Sequence, residues 1–355
     1  MASLHEITED DVRTPLIGLM AVAAAALAGC GGGNSDGGVR AITIVGSSTV
    51  YPFNRAVAEH FTRNNAGFSS PVVESTGTGG GMELFCAGVG TQHPDIANAS
   101  RRMKVTEFET CQQNGVDQII ELQVGIDGLA VVTSPEGPQF ALTTAQIYEA
   151  LAAEPWGEEQ DNENWSDIDP SLPNIPIRVY GPPTTSGTRD AFVELIMEAG
   201  CETNGAVEEM EDDRKDEVCT DIRSDQAFIE AGENDNLIVQ KVTQNPGYLG
   251  LLGYSFLEQN EGSVIGVAVN GVAPSYDSIA SFDYPGARPL FIYVKGNHLE
   301  AIRGLREFVA EYVSAWGPDG YLVGEGMIAN PDDVRASNAA AAEAMTALTL
   351  EDLQN

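Results

Sequence analysis

Four short polar loops constrain this chain more than any other feature of its sequence. Three of them directly follow a predicted strand and precede a predicted helix. At such a junction the unpaired N–H groups of the first helical turn and the positive end of the helix dipole point at one spot. One loop of this kind is weak evidence, but four in 355 residues predict a pocket that surrounds a small oxyanion. We number them along the chain: residues 46–49 (GSST), 76–81 (TGTGGG), 98–101 (NASR) and 185–189 (TSGTR).

Strands and helices alternate through the first third of the chain. Buried strands are predicted at residues 41–45, 71–75 and 95–97, and each leads into one of the polar loops. Apolar side chains then recur at helical spacing after the first two loops. This alternation predicts an α/β fold with a largely parallel sheet.

Two longer segments indicate how the rest of the chain is organised. Residues 118–133 form one extended stretch that contains two glycines, which is typical of a strand crossing between two lobes. Residues 298–316 have the apolar periodicity of an amphipathic helix. Thr106 and Glu109 have the spacing of a capping box, which predicts a helix beginning at that point.

The charge of the chain excludes some partners. Acidic residues number 53 against 18 basic ones, for a net charge of −35, and only four of the basic residues are lysine. A nucleic acid or an anionic membrane surface needs a basic face, so neither is an expected partner. Excess carboxylates with few lysines indicate either plain solubility or life in concentrated salt, where the Debye length falls to about 3 Å at 1 M.

The N-terminal segment predicts export. Residues 15–29 are an apolar run that is shorter than a membrane helix of about 20 residues but has the size of a signal-peptide core. The sequence Leu-Ala-Gly-Cys ending at Cys30 resembles a bacterial lipobox, which implies lipidation of Cys30 at the outer face of the cytoplasmic membrane or in the periplasm. Residues 31–38 are then a flexible tether. The alternatives are an N-terminal anchor or a disordered leader, because the segment before the run has a single basic residue, Arg13.

The cysteines fit an exported protein. Without Cys30 an even number remains, which predicts two disulfides with three connectivities open. The simplest is local pairing, Cys86 with Cys111 and Cys201 with Cys219. No Cys-x-x-Cys or His–Cys spacing indicates a zinc site, so neither a metal nor a cofactor is expected.

The loops carry the donors that phosphate requires. Inorganic phosphate is negative at neutral pH and offers oxygen acceptors, so its site needs hydroxyl groups, consecutive N–H groups and arginine. Each hydroxyl residue has an alternative role as an ordinary helix N-cap, and Arg189 has one as a surface residue. The candidates are the hydroxyls of Ser48, Thr49, Thr78, Ser186 and Thr188, the open backbone at Gly79 and Gly187, and the guanidinium groups of Arg101 and Arg189.

Six motifs in this order resemble the substrate-binding proteins of bacterial and archaeal phosphate ABC transporters. The resemblance runs from about residue 41 to about residue 324, and each motif alone is weak. The motifs are VGSSTVYPF, ESTGTGGGMELFCAG, DIANASR, YGPPTTSGTRD, NPGYLGLLGY and RPLFIYV.

The resemblance implies a two-lobed class II periplasmic-binding-protein fold, each lobe a largely parallel sheet flanked by helices. Inorganic phosphate would bind in the cleft, a hinge would close it, and a membrane permease would receive the ligand. The implied protein is a monomer and not an enzyme, and it touches the membrane only through a lipid anchor. The expected boundaries are residues 1–38 for the signal and tether, 39–124 with 285–355 for lobe I, and 125–284 for lobe II.

The resemblance also implies the ligand set. The expected phosphate ligands are Ser48, Thr49, Thr78, Gly79, Ser100, Arg101, Ser186, Gly187 and Thr188, with Ser47, Arg189 and Asp95 as further candidates. Two positions depart from the family pattern. Arg101 stands where many members have an aspartate, and Pro182 stands where many have an arginine. We expect Arg101 to replace the missing arginine from the other lobe, which leaves the rejection of sulfate unassigned.

Two other classes of function stay open at this point. The same fold could bind another oxyanion, such as sulfate, molybdate or tungstate. A phosphate-ester hydrolase would need a serine or threonine nucleophile with a base, and the candidate loops contain no histidine. No Lys-Ser/Thr pair follows the glycines of the second loop, so a nucleotide P-loop is excluded.

The charge generates the first testable prediction. In dilute salt the carboxylates repel one another, and concentrated salt screens that repulsion. We expect a higher melting temperature in about 3 M KCl than in about 0.1 M KCl, measured by circular dichroism. Equal melting temperatures would contradict the inference that the chain is adapted to salt.

Overall fold

The computed structural model describes residues 40–232 and 234–354. The strands are β1 Thr43–Gly46, β2 Val72–Ser75, β3 Ile96–Ala99, β4 Ile119–Thr133, β5 Ala141–Leu142, β6 Val179–Gly181, β7 Phe228–Glu230, β8 Leu249–Gly253, β9 Ile265–Gly266, β10 Ala268–Val269 and β11 Ala287–Lys295. Cys30 and the expected signal and tether lie outside the described residues.

The helices alternate with these strands as the sequence predicts. They are α1 Tyr51–Asn64, α2 Thr78–Cys86, α3 Val105–Gln113, α4 Thr144–Leu151, α5 Trp165–Ile168, α6 Gly187–Phe192, α7 Glu198–Cys201, α8 Asp212–Thr220, α9 Asp235–Gln244, α10 Tyr254–Gln259, α11 Tyr276–Ala280, α12 Leu305–Ala315, α13 Tyr321–Gly324, α14 Asp332–Ala344 and α15 Leu350–Gln354. A π-helical turn, Val193–Met197, joins α6 to α7.

Nine strands form one continuous sheet in the order β2-β1-β3-β11-β4-β8-β6-β7, with β9 also paired to β4. At one end β1 runs parallel to β2 and β3, and at the other end β6 runs parallel to β7 and β8. The central pair, β4 and β11, runs antiparallel. The parallel sheets expected for the two lobes are therefore joined edge to edge by two crossing strands.

The long strand β4 belongs to two hydrophobic cores. Its first half places Ile120, Leu122 and Val124 in a core with α1 and α12, and its second half places Leu129 and Val132 in another core with β6 and β8. The pairing register of β4 with β11 shifts between Leu290 and Phe291, next to this change of core. A β-bulge of this kind bends the strand locally. The chain is thus divided into two lobes at the crossing strands.

Two disulfides have the local connectivity that was the simplest of the three. Cys86 pairs with Cys111 and joins α2 to α3. Cys201 pairs with Cys219 and joins α7 to the acidic helix α8. Each bond ties neighbouring helices within one lobe.

Two helix starts differ from the prediction. The amphipathic segment 298–316 becomes α-helical only at Leu305, because Gly304 has a left-handed φ of +91° that interrupts the pattern. Helix α3 begins at Val105, and Glu107 rather than Glu109 closes its first turn by accepting the Lys104 N–H at 2.8 Å. In the part of the chain that is described, no helix has the length and hydropathy needed to cross a bilayer.

Candidate functional site

The fold brings the four polar loops to the carboxyl ends of its parallel strands. The first three loops follow β1, β2 and β3, which are neighbours in lobe I, and the fourth follows β6 in lobe II. The carboxyl ends of parallel strands share one edge of a sheet, and ligands of open α/β folds bind there. The loops therefore face the space between the two lobes.

The first and fourth loops touch across that space. The Ser48 hydroxyl donates to the Asp190 carboxylate, and the Thr49 hydroxyl donates to the Gly187 carbonyl at 3.4 Å. A Cβ on Gly187 would lie 2.9 Å from the Thr49 Cα, so only glycine permits this approach. Ser186 caps α6 by accepting the Thr188 N–H at 3.2 Å.

Ser47 has a different role from its neighbours. Its hydroxyl accepts the Thr49 N–H at 3.2 Å, and its own N–H donates to the Asn98 carbonyl at 3.2 Å. The side chain is buried. Ser47 therefore shapes the first loop and joins it to the third.

The second and third loops meet through their hydroxyl groups. The oxygens of Thr78 and Ser100 lie 3.1 Å apart, and the Ser100 N–H donates to Thr78 Oγ1 at 3.2 Å. Thr78 is the first residue of α2, and the β-position of Gly79 beside it faces open space. This pair places two hydroxyls and the start of a helix against the same cavity.

Two cavities are lined by residues of both lobes. The first, of about 570 Å³, we call the basic cavity, because four cations line it against two carboxylates. Its polar lining consists of Thr78, Ser100, Arg101, Arg102, Lys104, Arg288, Glu194 and Glu198. Three of these cations, Arg101, Arg102 and Arg288, also pair with carboxylates, but the guanidinium and hydroxyl donors that meet here make this cavity the candidate anion site.

The second cavity, of about 450 Å³, we call the acidic cavity. The described side chains that line it include the carboxylates Asp127, Asp235 and Glu325, and no lysine, arginine or histidine. Asp235 is buried and accepts the Gly253 N–H at 3.1 Å, and burial raises its pKa to about 6. Five of the expected phosphate ligands line this cavity: Ser48, Thr49, Ser186, Gly187 and Thr188. The other four, Thr78, Gly79, Ser100 and Arg101, line the basic cavity.

Arg288, at the start of β11, is the functional candidate that the sequence reasoning missed. Only 5% of its side chain is exposed, and it lines the basic cavity. Its Nε donates to Asp127 at 3.1 Å, one terminal nitrogen donates to Thr49 Oγ1 at 2.7 Å, and the other pairs with Glu194. The available signal was the motif RPLFIYV, in which an arginine opens an otherwise apolar strand.

Arg101 is held by a neighbour that the sequence reasoning overlooked. Its two terminal nitrogens donate to the two oxygens of Glu107 at 2.9 and 2.7 Å. This bidentate hydrogen bonding raises the pKa of Arg101. Both guanidinium groups are paired, Arg101 with Glu107 and Arg288 with two carboxylates, and Arg288 is the more deeply buried of the two.

The two remaining candidates lie in other surroundings. Arg189 stacks over the Phe228 ring at 4.2 Å and donates to the Pro182 carbonyl at 3.4 Å, beneath the fourth loop. Asp95 is fully buried just before β3 begins, at the opposite end of that strand from the third loop. Its carboxylate accepts from Arg40 at 2.9 Å and from the Thr43 N–H at 2.8 Å, and it lies 2.6 Å from His298 Nδ1. These contacts explain Asp95 as a structural anchor.

Metal binding has no support in the part of the chain that is described. No group of three or more histidine, cysteine, aspartate or glutamate side chains there could hold a metal ion. The three carboxylates of the acidic cavity do not form such a group.

Comparison with known proteins agrees with this architecture. A family model described as the PBP superfamily domain matches residues 31–315. The chain belongs to the PBP superfamily. A solved structure of a possible phosphate binding protein from Planctomyces limnophilus superposes on this chain with a TM-score of 0.71. The two sequences are 30% identical, and the superposition covers 86% of this chain and 98% of that one. The chain thus has the two-lobed periplasmic-binding-protein fold.

Relatives by sequence span the same region of this PBP superfamily protein. Protein SphX of Synechococcus elongatus is 36% identical over 282 residues, 78% of this chain and 74% of that protein. The phosphate-binding protein PstS of Staphylococcus saprophyticus is 29% identical over 304 residues, 83% of each chain. The similarity therefore covers both lobes.

The buried Asp235 generates a prediction about stability and pH. Its pKa in the folded protein is about 6, above the ordinary value of 3.8, so the folded protein binds this proton more tightly than the unfolded chain. The free energy of unfolding therefore falls as pH rises from about 4 to about 6. Asp235→Asn removes this term, and we expect the variant to gain about 2 to 3 kcal/mol relative to wild type between pH 4 and pH 7.

Urea unfolding in concentrated salt at the two pH values measures this difference. Glu325→Gln is the matched control, because Glu325 lines the same cavity but is exposed. A wild-type minus Asp235→Asn difference that is the same at both pH values would contradict the assignment.

Proposed function

We propose that this protein binds inorganic phosphate outside the membrane and delivers it to the permease of an ABC importer. Relatives named as phosphate-binding proteins align with both lobes. The observation that carries the proposal is the basic cavity, in which a buried arginine and two hydroxyl groups face one space. A small oxyanion is the ligand that such a set of donors fits, because it accepts hydrogen bonds at every oxygen.

The proposed site centres on Arg288. Its planar guanidinium offers fixed N–H donors, and Thr78 and Ser100 add hydroxyls on the lobe I side. Charge-assisted hydrogen bonds to a buried guanidinium such as that of Arg288 are stronger than the same bonds at the surface. Local donors at this range overcome the repulsion of the distant carboxylates, which salt screens.

The remaining expected ligands join the site by a rearrangement of the loops. Ser48, Thr49, Ser186, Gly187 and Thr188 lie where the first and fourth loops touch. We infer that opening of the Thr49–Gly187 contact admits the anion and lets these donors close on it from both lobes. A ligand that accepts hydrogen bonds from both lobes favours the closed form.

The finer parts of the proposal concern the whole chain. We infer lobe boundaries near residues 125 and 285, where β4 changes cores and β11 begins. We also infer export with lipidation at Cys30, a monomeric state, capture of the ligand without catalysis, and adaptation to concentrated salt. Incubation with p-nitrophenyl phosphate should release no nitrophenolate.

Isothermal titration calorimetry in molar KCl tests the proposed ligand. Phosphate should bind with one site per chain, and excess sulfate, molybdate or tungstate should each compete more weakly. Preference for one of those three ions would assign the site to that oxyanion. Absence of binding by all four would overturn the proposal.

A matched pair of arginine variants tests the proposed centre of the site. Arg288→Lys keeps the charge but loses the planar fork of donors, so we expect phosphate affinity to fall roughly ten- to a hundredfold. Arg101→Lys makes the same chemical change at a more exposed side chain, 34% against 5%, and we expect a smaller loss. Calorimetry on both variants, with melting temperatures to confirm folding, distinguishes them. A larger loss for Arg101→Lys would return the central role to Arg101.

A further inference from the structure

The Glu194 carboxylate accepts a hydrogen bond from the Arg288 guanidinium, which is the group expected to bind the anion. It pairs with a terminal nitrogen of that guanidinium and lines the basic cavity. We propose that Glu194 is an internal ligand that competes with phosphate for Arg288 and thereby sets the affinity of the site. This inference rests on the proposed function, because the competing anion is the phosphate of that proposal.

The three partners of Arg288 differ in how easily they can leave. Asp127 is the cross-strand neighbour of Arg288 in the β4–β11 ladder, so the backbone holds it in place. Thr49 is buried in the first loop. Glu194 comes from the other lobe, and 52% of its side chain is exposed, against 20% for Asp127. Of the three, Glu194 is the partner that can move into solvent at small cost.

The helix that carries Glu194 is irregular at that position. The π-helical turn Val193–Met197 lies between α6 and α7 and directly follows the helix of the fourth loop. Such turns are rare and occur frequently at functional sites. Here the turn keeps Phe192, Ile196 and Met197 in the lobe II core while Glu194 reaches Arg288.

Replacement of the Glu194 carboxylate by phosphate explains why an exposed glutamate pairs with the buried Arg288. In the empty site Asp127 already balances the charge of Arg288, and Glu194 supplies an acceptor from lobe II for the terminal nitrogen that phosphate would use. Phosphate brings its own charge and accepts the same N–H groups, so it replaces the carboxylate at this nitrogen. The wild-type protein must break the Glu194–Arg288 pair to bind, and a variant without that carboxylate need not.

Glu194→Gln and Glu198→Gln form a matched pair that tests the competition. Both residues line the basic cavity from adjacent turns and each substitution removes one negative charge, but of the two carboxylates Glu194 is the one that pairs with Arg288. We expect Glu194→Gln to bind phosphate about three- to tenfold more tightly than wild type, since the pair it removes is partly exposed. Glu198→Gln removes the same charge from the cavity without breaking a pair with Arg288, so it should tighten binding less than Glu194→Gln does. A merely structural role for Glu194 predicts the opposite sign, because its loss would then weaken binding.

A second measurement does not depend on phosphate. The pair ties lobe II to the start of β11, so the ligand-free Glu194→Gln variant should have a larger radius of gyration than wild type in X-ray scattering, and Glu198→Gln should not. An unchanged or weaker phosphate affinity of Glu194→Gln overturns the proposal. If the wild-type protein binds no phosphate, the proposed function is wrong independently of Glu194. In that case, an equal radius of gyration for wild type and Glu194→Gln would show that the Glu194–Arg288 pair does not hold the lobes together.

Discussion

The rest of this structure depends on the ion pairs and the hydrogen bond of the buried Arg288 guanidinium. Arg288 lies near the start of β11, between the two lobes. It contacts β4, the first loop and the π-helical turn that follows α6. A charge buried to this degree requires compensation from all sides, because an unpaired buried charge costs several kcal/mol. One side chain therefore joins the two crossing strands, the first loop and the π-helical turn after α6.

A chain with a net charge of −35 repels anions at long range, so its site must act at short range. The separation of a basic cavity from an acidic cavity allows such short-range binding. Four cations line the basic cavity, whereas the carboxylates Asp127, Asp235 and Glu325 line the acidic cavity, and Asp127 also pairs with Arg288. Concentrated salt screens the distant carboxylates more than the partly buried contacts inside the basic cavity. The same composition that excludes nucleic acids thus remains compatible with capture of a small oxyanion.

Patterns that are local in sequence predicted most of the fold. The strand–loop–helix order, the long crossing strand and the two disulfides each depend on residues close together in the chain, and each is confirmed. The centre of the candidate site could not be found in this way, because Arg288 meets Asp127, Glu194 and Thr49 across separations of 161, 94 and 239 residues. The capping residue of α3 was misplaced by two positions, which hid the pairing of Glu107 with Arg101. An arginine opening an apolar strand was visible, but its partners were not.

A crystal structure grown with phosphate in molar KCl tests the central claim most directly. We expect the anion in the basic cavity with its oxygens on Arg288, Thr78 and Ser100, and the Glu194 carboxylate turned away from that guanidinium. Phosphate bound in the acidic cavity, or bound while Arg288 keeps all three of its present partners, would contradict the account.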